Sequence, residues 1–347
     1  MSGPDEVRAP IDLWEELRRV PGIDELSVPW PVAGAERLGV HASLRRFYRL
    51  VPPDADKQEP ETLVLVVYES DDDEAVTRYA RSARWFLEAG VKVPRIHDRS
   101  SRALLVEDGG DELLAEAVPG DVLDDCYAKA AAVILALQSR GLEARGPNPQ
   151  WSLDAVRLRR ELEFTEQHAL RGWLEAEPSA TRSAAFDRLA AEVARQPRRI
   201  CHRDFHSRNL LMGEDLMVVD FQDAMSGPLF YDLVSLLGDD YRNVPASASA
   251  AALDAFWSVA AVDLGVSGKA GIPSEPAHLP PSARQSYALT GAQRSLKALG
   301  TFGFQVGAAG RHEYAKYARR TWSHARRVLA GLGWDDLIED LAVFNRL

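Results

Sequence analysis

Three oxygen-bearing side chains stand at short intervals in the stretch CHRDFHSRNLLMGEDLMVVDFQD, residues 201–223. Asp204 is followed five residues later by Asn209, and Asp220 comes after two apolar runs separated by turn residues. These runs predict a β-hairpin that returns Asp220 towards the loop carrying Asp204 and Asn209. Carboxylate and amide oxygens are the ligands that Mg²⁺ prefers, and substrate phosphates usually complete its coordination. The spacing therefore predicts phosphoryl transfer.

The composition favours a small-molecule substrate. The chain of 347 residues contains 41 lysines and arginines against 52 aspartates and glutamates, so a basic surface for nucleic acid is not expected. No uncharged run is long enough to cross a bilayer, and we expect no membrane partner. The cysteines, Cys126 and Cys201, are too few for a disulfide framework, so we expect a reducing, cytoplasmic location.

The elements that must position these side chains change character near residue 110. Before it, the stretches 43–51, 62–68 and 103–107 are β-prone. After it, apolar periodicity predicts helices at 122–139, 155–174, 183–195, 232–242, 249–263, 284–306 and 312–330. We therefore predict an α+β protein with a small antiparallel β-rich N-terminal lobe (1–107), a hinge at about 107–110 and a larger, mostly helical C-terminal lobe (111–347).

The pattern H-R-D, four residues, N and then a metal aspartate resembles the catalytic loop and metal site of kinases. A Gly-Pro at 227–228 and a Tyr-Asp-Leu at 231–233 make the chain similar to the small-molecule kinases of the aminoglycoside phosphotransferase superfamily. The stretches ASLRRFYR (42–49), LLVEDGGD (104–111) and QRSLKALGTF (293–302) look like the anomeric N-acetylmuramate/N-acetylglucosamine kinases of bacterial cell-wall recycling. The resemblance implies a two-lobed protein-kinase-like fold and an ATP- and Mg²⁺-dependent kinase for the anomeric hydroxyl of such a sugar.

The resemblance also assigns roles by position. Asp204 would orient the attacking hydroxyl and accept its proton, while Asn209 and Asp220 would hold Mg²⁺. From the residues themselves, we expect His202 to brace the loop from beneath, the alternative being a proton carrier, and Asp232 to cap its own helix and steady the same loop. The residues expected to bind the nucleotide are Ser43, Arg46, Arg49 and the hinge residues Glu107, Asp108 and Gly109.

Kinases usually carry a lysine on the strand that here reads LVLVVY, and residues 63–68 contain none. The triphosphate then needs another cation. Arg46 or Arg49 on the preceding strand is our candidate, because a guanidinium presents several donors to phosphate oxygens. The alternative is that two of the three arginines on this strand, Arg45, Arg46 and Arg49, are ordinary solvated residues.

The residues expected to bind the sugar are His206, Arg208, Glu161, Glu166, Arg294 and Lys297. His206 is open to two interpretations, contact with the sugar or support of the loop. Gln293, Arg294 and Lys297 share a helix face, and a cationic pair there would suit the lactyl carboxylate of N-acetylmuramate. The alternative for this face is a solvated polar surface.

Two other functions fit the same residues. One keeps the chemistry and changes the acceptor to an aminoglycoside or another amino-alcohol, which the negative net charge of −11 permits. The other is a nucleotide-binding pseudokinase, which the absence of a lysine from residues 63–68 would favour. The complete set of Asp204, Asn209 and Asp220 favours a working phosphotransferase.

Overall fold

The computed structural model describes residues 10–29, 31–38, 45–53, 62–68, 73–140, 152–263 and 275–347. These residues form two compact units. The first lies within residues 1–87 and 92–111, and the second within residues 88–91 and 112–347. A sheet dominates the first unit and helices dominate the second, so the α+β class expected from the sequence is confirmed.

A five-stranded antiparallel sheet forms the first unit, in the order β1-β2-β3-β5-β4. Its strands are β1 (Gly34–Arg37), β2 (Arg45–Val51), β3 (Leu63–Tyr68), β4 (Ile96–Arg99) and β5 (Ala103–Glu107). All six residues of the central strand β3 are buried, and alternate side chains pack with the helix α1 (Pro10–Leu17). The sequence did not predict β1 and β4, because these four-residue edge strands, GAER and IHDR, lack an apolar alternation.

The helix α2 (Asp73–Glu88) follows β3 in the chain. The helices that come after it are α3 (Asp121–Arg140), α4 (Ala155–Thr165), α5 (Ala180–Ala194), α6 (Tyr231–Leu237), α7 (Ala246–Asp263), α8 (Pro281–Gly303), α9 (Ala315–Gly331) and α10 (Asp335–Asp340). Seven of these eight were predicted, and α4 and α8 each continue into a π-helical turn, Glu166–Arg171 and Phe304–Ala308. No helix in the described ranges combines the length and apolarity needed to cross a membrane.

Two small antiparallel pairs lie among the helices of the second unit. The first joins β6 (Arg198–Cys201) to β9 (Met225–Pro228). The second is the hairpin expected from the sequence, β7 (Leu210–Leu211) with β8 (Met217–Val218). The two pairs hold the ends of the segment 202–209, which contains the candidate catalytic residue.

The helices α4 and α8 cross at very short range because glycines line the contact. A Cβ built on Gly303 would lie 2.3 Å from the Cα of Ala169, and one on Gly300 would lie 2.7 Å from Oγ1 of Thr165. The same Thr165 hydroxyl donates a buried hydrogen bond to the backbone oxygen of Leu296 at 2.7 Å. This crossing sets the position of the α8 side chains relative to those of α4.

Candidate active site

The imidazole of His202 lies beneath the segment 202–209 and is buried. Its Nδ1 is 3.3 Å from the backbone nitrogen of Asp204, and its Nε2 is 3.0 Å from the backbone oxygen of Val219. Because the Asp204 N–H donates to Nδ1, the ring proton is on Nε2, which donates to Val219. One side chain therefore connects the candidate base to the residue that precedes Asp220.

Asp232 in the first turn of α6 holds the backbone of this loop. Its two carboxylate oxygens accept the N–H groups of His202 at 2.7 Å and Arg203 at 3.0 Å. Arg203 has a φ of +83°, a left-handed conformation that costs a non-glycine residue about 1–2 kcal/mol, and these hydrogen bonds help to offset it. Burial raises the pKa of Asp232 to about 6, although His202 and the N–H donors act to lower it. The expected helix cap is wrong, because Phe230 is the N-cap of α6 and both carboxylate oxygens of Asp232 bind the loop.

Asn209 and Asp220 flank the hairpin. The Nδ2 of Asn209 donates to the backbone oxygen of Asp204 at 2.8 Å, so Oδ1 is the amide atom left to bind a cation. The backbone N–H of Val219 donates to the oxygen of Asn209 at 3.0 Å, which brings the two candidate ligands together. Asp220 is exposed, has a φ of +61° and accepts a hydrogen bond from Gln222 at 2.9 Å. In the part of the chain that the structure describes, no three histidine, cysteine or acidic side chains form a metal cluster.

The carboxylate of Asp204 has a cation at hydrogen-bond distance. The Nζ of Lys297, on α8, donates to Oδ1 at 2.6 Å, and the two side chains are 18% and 37% exposed, lysine first. Burial acts to raise the pKa of Asp204, but the charges of Lys297 and Arg203 outweigh it and hold the pKa well below its usual range. Asp204 is therefore an ionised acceptor. The expectation that Lys297 meets the sugar is corrected here, since its ammonium lies on the candidate base.

Glu161 supports the loop from α4. One of its oxygens accepts from the guanidinium of Arg203 at 2.9 Å, and the other accepts from the amide of Gln293, on α8, at 2.9 Å. The Glu161 side chain is only 11% exposed. The expected contact with sugar hydroxyls is therefore not supported, because both oxygens hold neighbouring protein groups.

Two further residues expected at the sugar are bound elsewhere. Glu166 accepts two hydrogen bonds from Arg182, at 2.7 and 2.9 Å, and lines a cavity of about 740 Å³ with residues of α4 and α5, outside the loop 202–209. Arg294 forms an ion pair with Asp240, and each side chain is 4% exposed. A guanidinium that is almost fully buried and already bound to a carboxylate is out of reach of a ligand from solvent. The expected cationic pair of Arg294 and Lys297 at the sugar is therefore not supported.

The second half of the loop packs against aromatic rings. The guanidinium of Arg208 lies over the ring of Tyr241, 4.1 Å from its centroid, and its Nη2 donates to the hydroxyl of Tyr317 at 2.7 Å. The ring of His206 meets Tyr241 edge-on at 4.9 Å. Burial lowers the pKa of His206, although the nearby charge of Asp239 acts to raise it. Both interpretations of His206, sugar contact and loop support, stay open.

Arg49 in the first unit is engaged by carboxylates. It donates to Asp108 at 2.5 Å and to Asp111 at 2.8 Å, and the Asp108 side chain is only 6% exposed. Asp108 also accepts the hydroxyl of Thr62 at 2.7 Å and the backbone N–H of Gly110 at 2.9 Å. The expected phosphate contact of Arg49 is not supported, because its charge holds the segment that follows β5.

Arg46, Glu107 and Gly109 are still predicted to bind the nucleotide. Arg46 is exposed on β2. Glu107 ends β5, where its backbone N–H donates to the oxygen of Arg95 at 2.8 Å, and Gly109 follows two residues later. Ser43 lies outside the described residues.

The sequence did not reveal how α8 serves the loop. Gln293 and Lys297 are four residues apart and share a face, and the face meets Glu161 and Asp204. The spacing predicts the shared face, but it does not identify the carboxylates opposite. Nor does any local pattern mark Tyr241 as the ring beneath the loop.

Comparison with known proteins adds independent findings. A model of the phosphotransferase enzyme family (APH) matches residues 35–264 of the chain. The N-acetylmuramate/N-acetylglucosamine kinase of Pseudomonas aeruginosa is 32% identical over 272 residues, which are 75% of this chain and 73% of that protein. The protein of the same name from Pseudomonas putida is 29% identical over 248 residues, or 70% of this chain and 69% of that protein.

Solved structures establish the fold. The ADP-bound aminoglycoside phosphotransferase APH(2'')-Ib superposes with a TM-score of 0.54 and 12% identity, covering 90% of this chain and 98% of that chain. A macrolide 2'-phosphotransferase from Brachybacterium faecium superposes with a TM-score of 0.51 and 15% identity, covering 83% and 91%. The protein-kinase-like fold expected from the catalytic-loop pattern is therefore confirmed.

Proposed function

Because the chain belongs to the phosphotransferase enzyme family (APH), and is thus a phosphotransferase with an alcohol acceptor, we propose that it transfers the γ-phosphate of ATP to the anomeric hydroxyl of an N-acetylated amino sugar. The proposed acceptors are N-acetylmuramate, N-acetylglucosamine or both. The similarity to kinases named for these two sugars, over about three quarters of the chain, carries the choice of acceptor. The anomeric position rests on the sequence resemblance.

In the proposed reaction the sugar hydroxyl lies against Asp204. Its oxygen forms a bond to the γ-phosphorus, the bond from that phosphorus to the β-phosphate oxygen breaks to leave ADP, and the hydroxyl proton passes to the Asp204 carboxylate. Asp204 is ionised and held by a loop whose backbone is bound to Asp232 and His202. A fixed acceptor at the reacting hydroxyl supplies orientation as well as a proton path.

We propose that Asn209 and Asp220 hold Mg²⁺. The donor set fits, because Asn209 has its Oδ1 left after Nδ2 is bound, and Asp220 is an exposed carboxylate joined to it through the backbone of Val219. When bound, the metal neutralises charge on the phosphates as the phosphoryl group moves. Two oxygen ligands from the protein leave room for substrate phosphates and water.

Arg208 is the proposed contact for the acidic group of N-acetylmuramate. Stacking on Tyr241 and the hydrogen bond to Tyr317 hold the guanidinium in one orientation, in the same segment of chain as Asp204. A guanidinium matches the geometry of a carboxylate, and a preorganised one loses little entropy on binding. A fixed cation here also disfavours a polycationic aminoglycoside.

An acceptor panel tests the proposal. The enzyme would be assayed for ADP release with N-acetylmuramate, N-acetylglucosamine and kanamycin-type aminoglycosides, and the product identified by phosphorus NMR. We expect a sugar 1-phosphate and a loss of at least about 100-fold in kcat for Asp204→Asn. Turnover of aminoglycosides with neither sugar phosphorylated would refute the choice of acceptor.

A further inference from the structure

The position of Lys297 is unusual for a lysine whose only role is to bind the sugar. Its Nζ is 2.6 Å from Oδ1 of Asp204, the carboxylate proposed to receive the hydroxyl proton. Its side chain is 18% exposed and therefore largely withdrawn from solvent. Among the described residues, no donor lies on the other oxygen of Asp204, so Oδ2 is the atom left for the hydroxyl.

The position of this ammonium is fixed by tertiary packing. Lys297 lies between Leu296, whose backbone oxygen accepts from Thr165, and Gly300, which meets Thr165 directly. One turn earlier on α8, Gln293 binds the Glu161 carboxylate that pairs with Arg203. Two adjacent turns of α8 therefore carry Gln293 and Lys297, which bind the loop through Glu161 and Asp204.

An ammonium has three N–H donors, and Asp204 takes one of them. The acceptor oxygen and the phosphoryl group must both come close to Asp204 during transfer, so the remaining donors lie near the oxygens on which charge is redistributed. Lys297 also supplies a cation to a chain that has no lysine on β3. A substrate carboxylate would compete with Asp204 for the same charge.

We propose that Lys297 is a catalytic cation, which holds Asp204 in place and donates hydrogen bonds to the phosphoryl oxygens during transfer. The inference rests on the role proposed for Asp204. It assigns Lys297 to the common chemical step and not to recognition of one sugar. Lys297 contributes no atom to the product and keeps its proton throughout.

The two proposed sugars separate these roles, because N-acetylmuramate has a lactyl carboxylate that N-acetylglucosamine lacks. We expect Lys297→Met to lower kcat by about 10²–10³-fold with both sugars, the loss typical of one transition-state donor, and to change the KM of either sugar less than about threefold. A raised KM confined to N-acetylmuramate, with kcat retained, would overturn the inference and restore the role of carboxylate ligand.

Chemical rescue tests whether the ammonium itself is needed. In Lys297→Cys, alkylation with 2-bromoethylamine builds a side chain of lysine length with a terminal ammonium. We expect the treatment to raise kcat of this variant at least tenfold and to leave wild-type activity unchanged, which controls for reaction at Cys126. Quantitative alkylation, verified by mass spectrometry, without recovery of kcat would contradict the inference.

Controls separate this inference from the proposed function. Lys129→Met removes a lysine from an exposed ion pair with Asp125, 2.8 Å long, and should leave kcat unchanged. If Asp204→Asn keeps its activity, the proposed role of Asp204 fails. If Asp204→Asn loses activity and Lys297→Met does not, only the present inference fails. If neither sugar is phosphorylated, the variants are compared on the alcohol that the wild type does phosphorylate.

Discussion

Replacing Arg294 tests whether this residue is structural, as its contacts indicate, or binds substrate, as its place in the sequence suggests. Its guanidinium is paired with Asp240 and also donates to the hydroxyl of Ser235 at 3.2 Å. Both charged side chains are 4% exposed, so Arg294→Met leaves the carboxylate of Asp240 buried and uncompensated. Removal of one partner from a buried pair costs about 3–5 kcal/mol. In a unit of this size the melting temperature should fall by roughly 6–20 °C.

The assay is urea denaturation followed by tryptophan fluorescence, with steady-state kinetics on the folded variant. The double variant Arg294→Met with Asp240→Asn removes the charge as well and should recover more than half of the loss, because the amide can still bond to Thr321. Arg18→Met serves as the control, since the pair of Arg18 with Glu15 is 3.5 Å long and exposed. We expect this variant to lose less than about 1 kcal/mol of unfolding free energy.

Two results would contradict the structural role of Arg294. If Arg294→Met loses less than about 1 kcal/mol of unfolding free energy, its removal does not leave Asp240 as a buried, uncompensated charge, and the structural role of Arg294 fails. If it also raises the KM for N-acetylmuramate alone, the interpretation based on helix spacing was correct. An unchanged KM for both sugars accompanies the structural role.

The remaining predictions concern packing and pH. Gly303→Ala places a methyl group against Ala169, where an added Cβ would be 2.3 Å from the Cα, and should lower the unfolding free energy by about 1–3 kcal/mol. The control is Gly331→Ala, which has open space around it and should not lower the unfolding free energy. Equal melting temperatures for the two variants would contradict the close crossing. The pKa of Asp232 is raised by burial from 3.8 to about 6, so between these pH values the folded protein retains a proton that the unfolded chain has released. Its contribution to stability therefore falls as the pH rises from about 4 to about 6, by up to about 3 kcal/mol, and is constant above that range. Denaturation of the wild type and of Asp232→Asn at pH 4.5 and pH 6.5 measures this difference, and a wild-type advantage that grows with pH would contradict it.

The local pattern of the sequence was sufficient to predict the chemistry and most of the elements. The hairpin that brings Asp220 back towards Asn209 was predictable because its signals, two apolar runs around turn residues, lie within ten positions. The long helices were predictable from apolar periodicity in the same way. The edge strands β1 and β4 were not, because they are short and polar and are defined by pairing with distant segments.

The partners of the charged side chains were decided by tertiary structure alone. Spacing on α8 predicted that Arg294 and Lys297 share a face, but Arg294 meets Asp240 in the interior and Lys297 meets Asp204 at the site. Ion pairs form between residues 54 and 93 positions apart in the chain, so no local pattern records them. The sequence by itself determined which residue types stand at spacings suited to phosphoryl transfer, because residue type and short-range spacing depend only on neighbouring positions in the chain. Which cation faces which carboxylate depends on how α8 packs against the loop 202–209 and against the segment after α6, and that packing is a property of the folded chain.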